Sequence, residues 1–243
     1  MLPIGDDNSD RERWPVVTAG LVILNVIVFL YELSLQSQSP YRLDEFINRW
    51  GVIPREYVLA RDLPPTIGLP YWTTLFTSMF LHGGWGHLLG NMLYLWIFGD
   101  NVEDRFGRVA FVLFYLAAGV AGAVTQIVVS GGSVMPIVGA SGAISGVLGA
   151  YVTMFPTKRV RVLLFILFID LPAILVIGLW AVTQFVDGFG SLGTRVANDE
   201  GGVAYLAHVG GFLAGVVGAL VWRLLVGVPV RRSPMRPYDR YRN

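Results

Sequence analysis

The chain has 243 residues, no cysteine and few charged residues, which make up only 14% of it. Without cysteine, a disulfide framework and thiol chemistry are both excluded. Soluble domains carry about 25% charged residues, so this composition is unusual for a protein that is surrounded by water. The chain also has only three histidines, so few side chains can exchange protons near neutral pH.

Long hydrophobic runs take the place of the missing charges, and 54% of the residues are hydrophobic. Six mostly apolar stretches cover residues 16–33, 85–98, 109–130, 136–155, 161–185 and 203–226. All but the second hold about 18 residues or more, enough to cross roughly 30 Å of hydrocarbon. None leaves the polar face that a helix of a soluble protein needs.

These stretches predict an all-α integral membrane protein with a bundle of six transmembrane helices. The bundle is expected to occupy residues 15–227, after a polar and poorly ordered segment 1–14 and before a basic tail 228–243. Residues 36–71 are rich in proline and carry aromatics amid charges. They predict either a partly helical segment at the outer membrane interface or an ordinary external connection.

The basic residues predict the orientation in the membrane. If the helices alternate across the bilayer, one side receives both termini and the loops after helices 2 and 4. That side holds 13 of the 18 Lys and Arg residues, so we expect both termini to be cytoplasmic. The first apolar stretch is too long for a signal-peptide core, and we expect it to remain as helix 1.

Three polar residues open apolar helices that start on the same predicted face of the membrane: His87, Ser141 and His208. A hydroxyl and imidazoles at similar depth in a membrane are costly and indicate a function. Asn91 follows His87 by four positions and shares its helix face, whereas His82, five positions before His87, does not.

Together these groups fit acyl transfer. A serine hydroxyl is a weak nucleophile that needs an adjacent base, and an imidazole is suited to that task. Free N–H groups at the start of helix 4, together with His87 and Asn91, can stabilise an oxyanion. In a membrane, the natural acyl substrate is a peptide bond.

Other interpretations of the same residues stay open at this point. Gly142, Gly146, Gly211 and Gly215 have the four-residue spacing that is typical of close helix packing, which does not exclude catalysis. A lone serine in a membrane helix is usually a packing or backbone-bonded residue, and a lone histidine at the interface often only extends to the membrane surface or has its hydrogen bonds satisfied. The three histidines could also bind a metal, although no carboxylate lies beside them.

Two motifs resemble those of the rhomboid family of intramembrane serine proteases. Residues 139–142 read G-x-S-G, as at the start of helix 4 in that family. Residues 207–215, which contain His208, resemble the general-base motif of its helix 6.

Two further motifs extend the resemblance to most of the chain. His82, His87 and Asn91 match the family's H-x4-H-x3-N pattern in helix 2. Residues 103–107 resemble the E-x-R loop that follows helix 2. Each motif is weak alone, but four in order at the right helix ends are highly specific.

The resemblance implies a serine endopeptidase that cleaves transmembrane helices near the outer face of the membrane. Ser141 would be the nucleophile and His208 its base, without an acid. The oxyanion hole would comprise His87, Asn91 and the backbone N–H of Ser141. Supporting positions in the same motifs are His82, Gly139 and Gly142. Helix 5 and the loop after it would gate substrate access.

No cofactor, metal or nucleic acid is implied. The expected partners are transmembrane protein substrates and membrane lipid, and the expected location is a bacterial plasma membrane. Two family features are missing: Thr73 replaces an arginine, and Ser145 replaces an aromatic residue that supports the base. Other functions remain open, namely a rhomboid-like chaperone that binds helices without cleavage, or a channel or transporter.

Asp170 is the last residue for which the sequence makes a specific prediction. It falls within the predicted helix 5, about 14 Å from its cytoplasmic end and so near mid-bilayer. That depth separates it from the Ser141 and His208 region. We therefore expect it to form bonds within the bundle rather than to serve as a catalytic acid.

Overall fold

The computed structural model describes residues 1–194 and 204–226 and is mostly helical. Its α-helices are α1 (Val16–Gln38), α2 (Pro40–Trp50), α3 (Pro54–Leu59), α4 (Thr74–Thr77), α5 (Trp85–Phe106), α6 (Arg108–Ser130), α7 (Ser141–Met154), α8 (Ala173–Thr194) and α9 (Tyr205–Val226). Short 3-10 turns lie at Tyr71–Thr73 and Ser78–Phe80. The strands are β1 (Leu2–Asp6), β2 (Arg159–Leu164) and β3 (Leu167–Pro172). The predicted basic tail 228–243 lies outside the described residues, as do residues 195–203 of the loop after predicted helix 5, to which the resemblance assigns a role in substrate access.

The membrane-spanning character of the chain is carried by its long apolar helices. Four of the described helices are long and apolar enough to cross a bilayer, namely α1, α6, α8 and α9. Each of the six predicted segments contains a helix, but α5 has a charged second half and α7 has only 14 residues. The structure therefore describes an integral membrane protein with four such spans, and the count of six remains a prediction.

Helix α7 is the centre of the bundle and packs against α5, α6 and α9. All of its residues from Gly142 to Tyr151 are buried, since glycine and alanine let the neighbouring helices approach closely. Its first residue, Ser141, is partly exposed, in contrast to the ten residues that follow it. The fold therefore places the serine among several helix ends.

The predicted start of helix 4 at residue 136 is wrong, because the chain is extended there. Ile137 forms an antiparallel bridge with Val52 through two backbone hydrogen bonds of 2.8 and 3.1 Å. Gly139 then takes a φ of 122°, a conformation that favours glycine, and donates its N–H to the carbonyl of Ser78. The helix begins only at Ser141, five residues later than the apolar stretch predicted.

The predicted start of helix 5 at residue 161 is also wrong, and the fold is not purely α-helical. Residues 159–172 form an antiparallel hairpin of β2 and β3, and α8 begins after Pro172. On β2, Val160 and Val162 are buried while Arg159 and Arg161 point to the exposed side, which is the alternation of a half-buried strand.

Asp170 therefore lies on a strand and not in a helix at mid-bilayer. Its carboxylate accepts hydrogen bonds of 2.9 and 3.2 Å from the guanidinium of Arg161, the residue directly opposite on β2. This side-chain bonding lowers the pKa of Asp170 below its ordinary value. Its partner is thus found within the hairpin and not in the helix bundle.

The expectation of a poorly ordered segment 1–14 is wrong for its first residues, which form strand β1 on the edge of the hairpin. Asp6, at the end of β1, accepts hydrogen bonds from Tyr151 (2.6 Å) and Asn101 (2.8 Å). Burial raises the pKa of Asp6 from 3.8 to about 7. The N-terminal strand is thereby connected both to the hairpin and to helices α5 and α7.

Residues 36–71 are partly helical, as one of the two interpretations predicted, since they contain α2 and α3. Aromatic side chains join this segment to its neighbours. Phe46 of α2 packs edge-on against Tyr31 of α1 at 5.3 Å, and Tyr57 of α3 packs against Tyr71 at 5.2 Å. These contacts hold the segment beside the end of the bundle at which Ser141 lies.

The motif at 103–107 lies in a helix rather than in a loop, because α5 continues to Phe106. The Glu103 carboxylate accepts hydrogen bonds from the backbone N–H groups of Val17 (2.9 Å) and Thr18 (2.7 Å) and from the Thr18 hydroxyl (2.8 Å). A carboxylate is well suited to the free N–H groups and positive dipole at a helix start. Glu103 therefore caps α1. It lies near the C-terminal end of α5, whereas the site around Ser141 lies at the N-terminal end of that helix.

Candidate active site

Ser141 and His208 form the centre of the candidate site. The Oγ atom of Ser141, the first residue of α7, lies 2.8 Å from Nε2 of His208 in the first turn of α9. His208 is only 9% exposed, whereas Ser141 is partly open. A neutral imidazole can accept the hydroxyl proton at this distance, which is the geometry of a nucleophile with its base.

The other side of the His208 ring is also occupied. Its Nδ1 atom lies 2.6 Å from Oε1 of Gln184, a half-buried residue of α8. The ring centroids of Trp180 and Tyr205 lie 6.2 and 6.4 Å from that of His208. The imidazole is thus surrounded by aromatic rings and has a polar partner at each nitrogen.

His87 lies beside Ser141 across Gly139. A methyl group added at Gly139 would lie 2.6 Å from the Cε1 and Nε2 atoms of His87 and 3.6 Å from Oγ of Ser141. Only glycine fits between them, and its φ of 122° adds a second reason for glycine at this position. Gly139 therefore brings the imidazole of His87 close to the serine hydroxyl.

Asn91 and His82 form a buried pair behind His87. The Asn91 amide lies 3.0 Å from Nε2 of His82, and the His82 backbone N–H donates to the carboxylate of Glu32 in α1. The rings of His82 and His87 meet edge to face with their centroids 5.1 Å apart, although residues five positions apart in a helix are not expected to share a face. The reason is that α5 starts only at Trp85, so His82 is not on the same helix.

Glycines explain how α7 and α9 bring Ser141 and His208 together. A methyl group at Gly211 would overlap the carbonyl oxygen of Gly142, and one at Gly215 would overlap the carbonyl oxygen of Gly146. The two helices therefore touch through their backbones along one line. Gly142 serves this packing, as the close-packing interpretation predicted, and the packing sets the distance between the serine and the histidine.

Three helix starts converge at the site, with His87 in the first turn of α5, Ser141 at the first position of α7 and His208 in the first turn of α9. The first N–H groups of a helix lack partners within it, and the helix dipole is positive at that end. Such a location favours the negative charge of a tetrahedral intermediate over a neutral carbonyl. The arrangement can therefore support acyl transfer.

Sequence reasoning missed Gln184 and Glu32 as members of the site region. A polar side chain within an apolar helix was a usable signal for both. Ser145, in contrast, does not support His208, because its hydroxyl donates to the carbonyl of Ser141 in its own helix at 2.6 Å.

Comparisons with known proteins match the part of the chain in which this site lies. The sequence model of the Rhomboid domain matches residues 70–224, which include all the residues described above at the site except Glu32. The chain is also 34% identical over 148 residues to Rhomboid protease GluP of Bacillus subtilis, covering 61% of this chain and 25% of that protein.

Relatives from eukaryotic organelles match as well. Rhomboid-like protein 11, chloroplastic, of Arabidopsis thaliana is 32% identical over 161 residues, covering 64% of this chain and 53% of that protein. Rhomboid protein 1, mitochondrial, of Saccharomyces cerevisiae is 27% identical over 202 residues, covering 81% and 50%. The chain thus spans between a quarter and about half of the length of these three relatives, of which only the Bacillus subtilis protein is named a protease.

Proposed function

The chain belongs to the rhomboid family, and on that premise we propose that it is an intramembrane serine endopeptidase with Ser141 as nucleophile and His208 as general base. The observation that carries the proposal is the 2.8 Å contact between Ser141 Oγ and His208 Nε2 at the ends of two apolar helices. Its substrates are transmembrane proteins, which a bundle of six helices cleaves near the outer face of the membrane. A bacterial plasma membrane with both termini cytoplasmic is part of the same proposal.

The reaction begins when Ser141 Oγ attacks the carbonyl carbon of the scissile peptide bond and His208 Nε2 takes the hydroxyl proton. The carbonyl oxygen becomes an oxyanion, which the N–H of Ser141 and the side chains of His87 and Asn91 stabilise by hydrogen bonds. Collapse of this intermediate breaks the C–N bond, and the proton on His208 passes to the leaving amine. An acyl-enzyme on Ser141 remains.

Water completes the cycle. His208 removes a proton from a water molecule, whose oxygen attacks the acyl-enzyme carbonyl and forms a second oxyanion at the same donors. Collapse breaks the ester bond to Ser141, and the proton returns from His208 to the serine oxygen. The products are a carboxylic acid and an amine, and the enzyme is restored.

The test uses purified protein in proteoliposomes with a panel of single-span membrane proteins and a fluorophosphonate probe. Wild-type protein should cleave at least one substrate and react with the probe, and the Ser141→Ala variant should do neither. Probe labelling that persists in Ser141→Ala would rule out Ser141 as the nucleophile. Binding of substrates without cleavage or labelling would instead favour a chaperone that holds helices.

A further inference from the structure

The partner of His208 Nδ1 points to a residue that controls which nitrogen of the base carries the proton. Oε1 of Gln184 lies 2.6 Å from Nδ1, on the opposite side of the ring from Ser141. We propose that Gln184 is a positioning residue that keeps His208 in the Nδ1–H tautomer, with the lone pair of Nε2 directed at Ser141. This inference rests on the proposed function and concerns the same site.

The orientation of the Gln184 amide is determined within its own helix. The Thr183 hydroxyl donates its proton to the carbonyl oxygen of Trp180 at 2.7 Å, so its oxygen can only accept from the amide. The Gln184 Nε2 group lies 3.2 Å from that oxygen and donates to it. The amide oxygen therefore faces His208, and a carbonyl oxygen can only accept a hydrogen bond.

The acceptor at Gln184 determines the state of the imidazole. A neutral imidazole carries one N–H proton, which can be on either Nδ1 or Nε2, so two tautomers are possible. If Nδ1 donates to Gln184, Nε2 has the lone pair that must take the proton of Ser141. In the other tautomer, Nε2 would bear a hydrogen that points at the serine oxygen, and the hydroxyl would have no base.

The aromatic neighbours of His208 that the structure describes position its ring but leave its tautomer free. Trp180 and Tyr205 restrict rotation of the ring through their centroid contacts at 6.2 and 6.4 Å. Aromatic faces do not distinguish Nδ1–H from Nε2–H as a hydrogen-bonding carbonyl does. The hydroxyl of Ser145 donates to its own helix, at Ser141 O. Among the residues that the structure describes, Gln184 is thus the group that supplies the acceptor.

Removal of the acceptor oxygen of Gln184 should slow the reaction without disrupting the structure of the site. Gln184→Met keeps the length of the side chain but leaves Nδ1–H without its acceptor, which should lower kcat about 10- to 100-fold with KM within about twofold of wild type. Thr183→Val keeps the shape but frees the amide to rotate, and a loss of about threefold is expected, close to one disturbed neutral hydrogen bond. Thr183→Ser keeps the hydroxyl and should resemble wild type.

Gln184→Glu is the informative conservative change. It retains an acceptor oxygen at the same distance, so catalysis should persist, in contrast to Gln184→Met. Its added negative charge stabilises the imidazolium, so the acid limb of the pH–rate profile should move to higher pH. A structural role in packing α8 would predict neither the rescue nor the shift. Val182→Ala, at a position 57% exposed on the same helix, is the matched control and should change nothing.

A spectroscopic readout tests the tautomer directly. The chain has only three histidines, so 15N-histidine labelling gives few signals, and a His208→Ala spectrum assigns those of His208. Wild type should show a protonated Nδ1 and an unprotonated Nε2, and Gln184→Met should show a mixture. An Nε2-protonated wild type, an unchanged tautomer in Gln184→Met, or a raised KM with unchanged kcat would each overturn the inference.

These outcomes separate the inference from the proposed function. If wild type neither cleaves substrates nor reacts with the fluorophosphonate, the proposed function fails. If wild type cleaves and Ser141→Ala does not, but Gln184→Met cleaves at the wild-type rate, only the role of Gln184 fails. If Gln184→Met does not fold, the pH shift and retained activity of Gln184→Glu decide the question.

Discussion

Nε2 of His208 lies 2.8 Å from Oγ of Ser141, and the two residues are 67 positions apart in the chain. The contact joins the first residue of α7 to the first turn of α9, and no flexible loop takes part in it. Its length depends on two helices that touch through their glycines. The hydroxyl and the imidazole therefore meet as parts of one rigid unit.

Because the hydroxyl and the base act together, their losses should not add. Ser141→Ala and His208→Ala should each lower kcat by about 10⁴- to 10⁶-fold, and the double variant should be no slower than either single variant. Cleavage of a single-span substrate in proteoliposomes measures all three. A double variant that loses the product of the two single effects would contradict a shared proton transfer.

The oxyanion donors should affect the rate less than the dyad. His87→Ala should lower kcat about 10²- to 10³-fold, while the fluorophosphonate still labels Ser141 because its base is intact. Asn91→Ala should lower both the rate and the melting temperature, since the Asn91 amide also binds buried His82. Leu89→Ala, at a position 59% exposed on the same helix, serves as control. Unchanged cleavage in both variants would count against the oxyanion role.

Close packing of α7 and α9 predicts that a single methyl group can disable the site. Gly211→Ala would place its methyl group against the carbonyl of Gly142, so the helices must separate and both activity and melting temperature should fall. Gly178→Ala in α8 meets no atom within 4 Å and should be neutral or slightly stabilising. Equal melting temperatures for the two variants would show that the helices can separate without cost.

Asp6 predicts a dependence of stability on pH. Its pKa is raised from 3.8 to about 7 in the folded protein, so between these values the folded state holds a proton that the unfolded state has lost. The free energy of unfolding should therefore decrease as the pH rises from about 4 to 7. In Asp6→Asn, this part of the decrease should vanish, which melting curves of both proteins at pH 5 and pH 8 can measure. Parallel pH dependence in the two proteins would refute the assignment.

Asp170→Asn should leave cleavage nearly unchanged, as the sequence predicted, but for a different reason. The carboxylate pairs with Arg161 on the exposed side of the hairpin, where an ion pair contributes at most about 1 kcal/mol. Substrate cleavage and melting temperature should both stay close to wild type. A loss of activity comparable to that of His208→Ala would show that the hairpin takes part in catalysis.

The hydrophobic runs predicted where helices lie, because burial in lipid requires apolar residues at nearly every position. They failed at residues 161–172, since a run such as Leu163 to Leu171 is as apolar in a strand as in a helix. The alternation of arginine and valine at 159–162 was the available signal for β2. Motifs identified Ser141, His208, His87 and Asn91, because their spacing reflects helix starts.

The polarity of Gln184 within an apolar helix was a usable signal, but its role could not be assigned from the sequence, because that role depends on the angle at which α8 meets α9. Its neighbours in the chain form no motif, and α8 was predicted to begin 12 residues too early. The same holds for Asp6, whose partners Asn101 and Tyr151 lie 95 and 145 positions away. Contacts of this kind depend on tertiary structure, for which a single sequence has no local pattern.

The hairpin β2–β3 joins α7 to α8 at the end of the bundle opposite Ser141. The start of α8 is held there, because the backbone N–H of Ala173 donates to the carbonyl of Lys158 at 2.8 Å. Gln184 lies 11 residues further along α8, about 16 Å from this anchored end. A tilt of α8 by about 10° around this end would move the Gln184 amide by roughly 3 Å, enough to break its hydrogen bond with Nδ1 of His208. The hydrogen-bond acceptor for Nδ1 of His208 thus depends on the tilt of a single helix, and a displacement of this size would leave the tautomer of the imidazole unfixed.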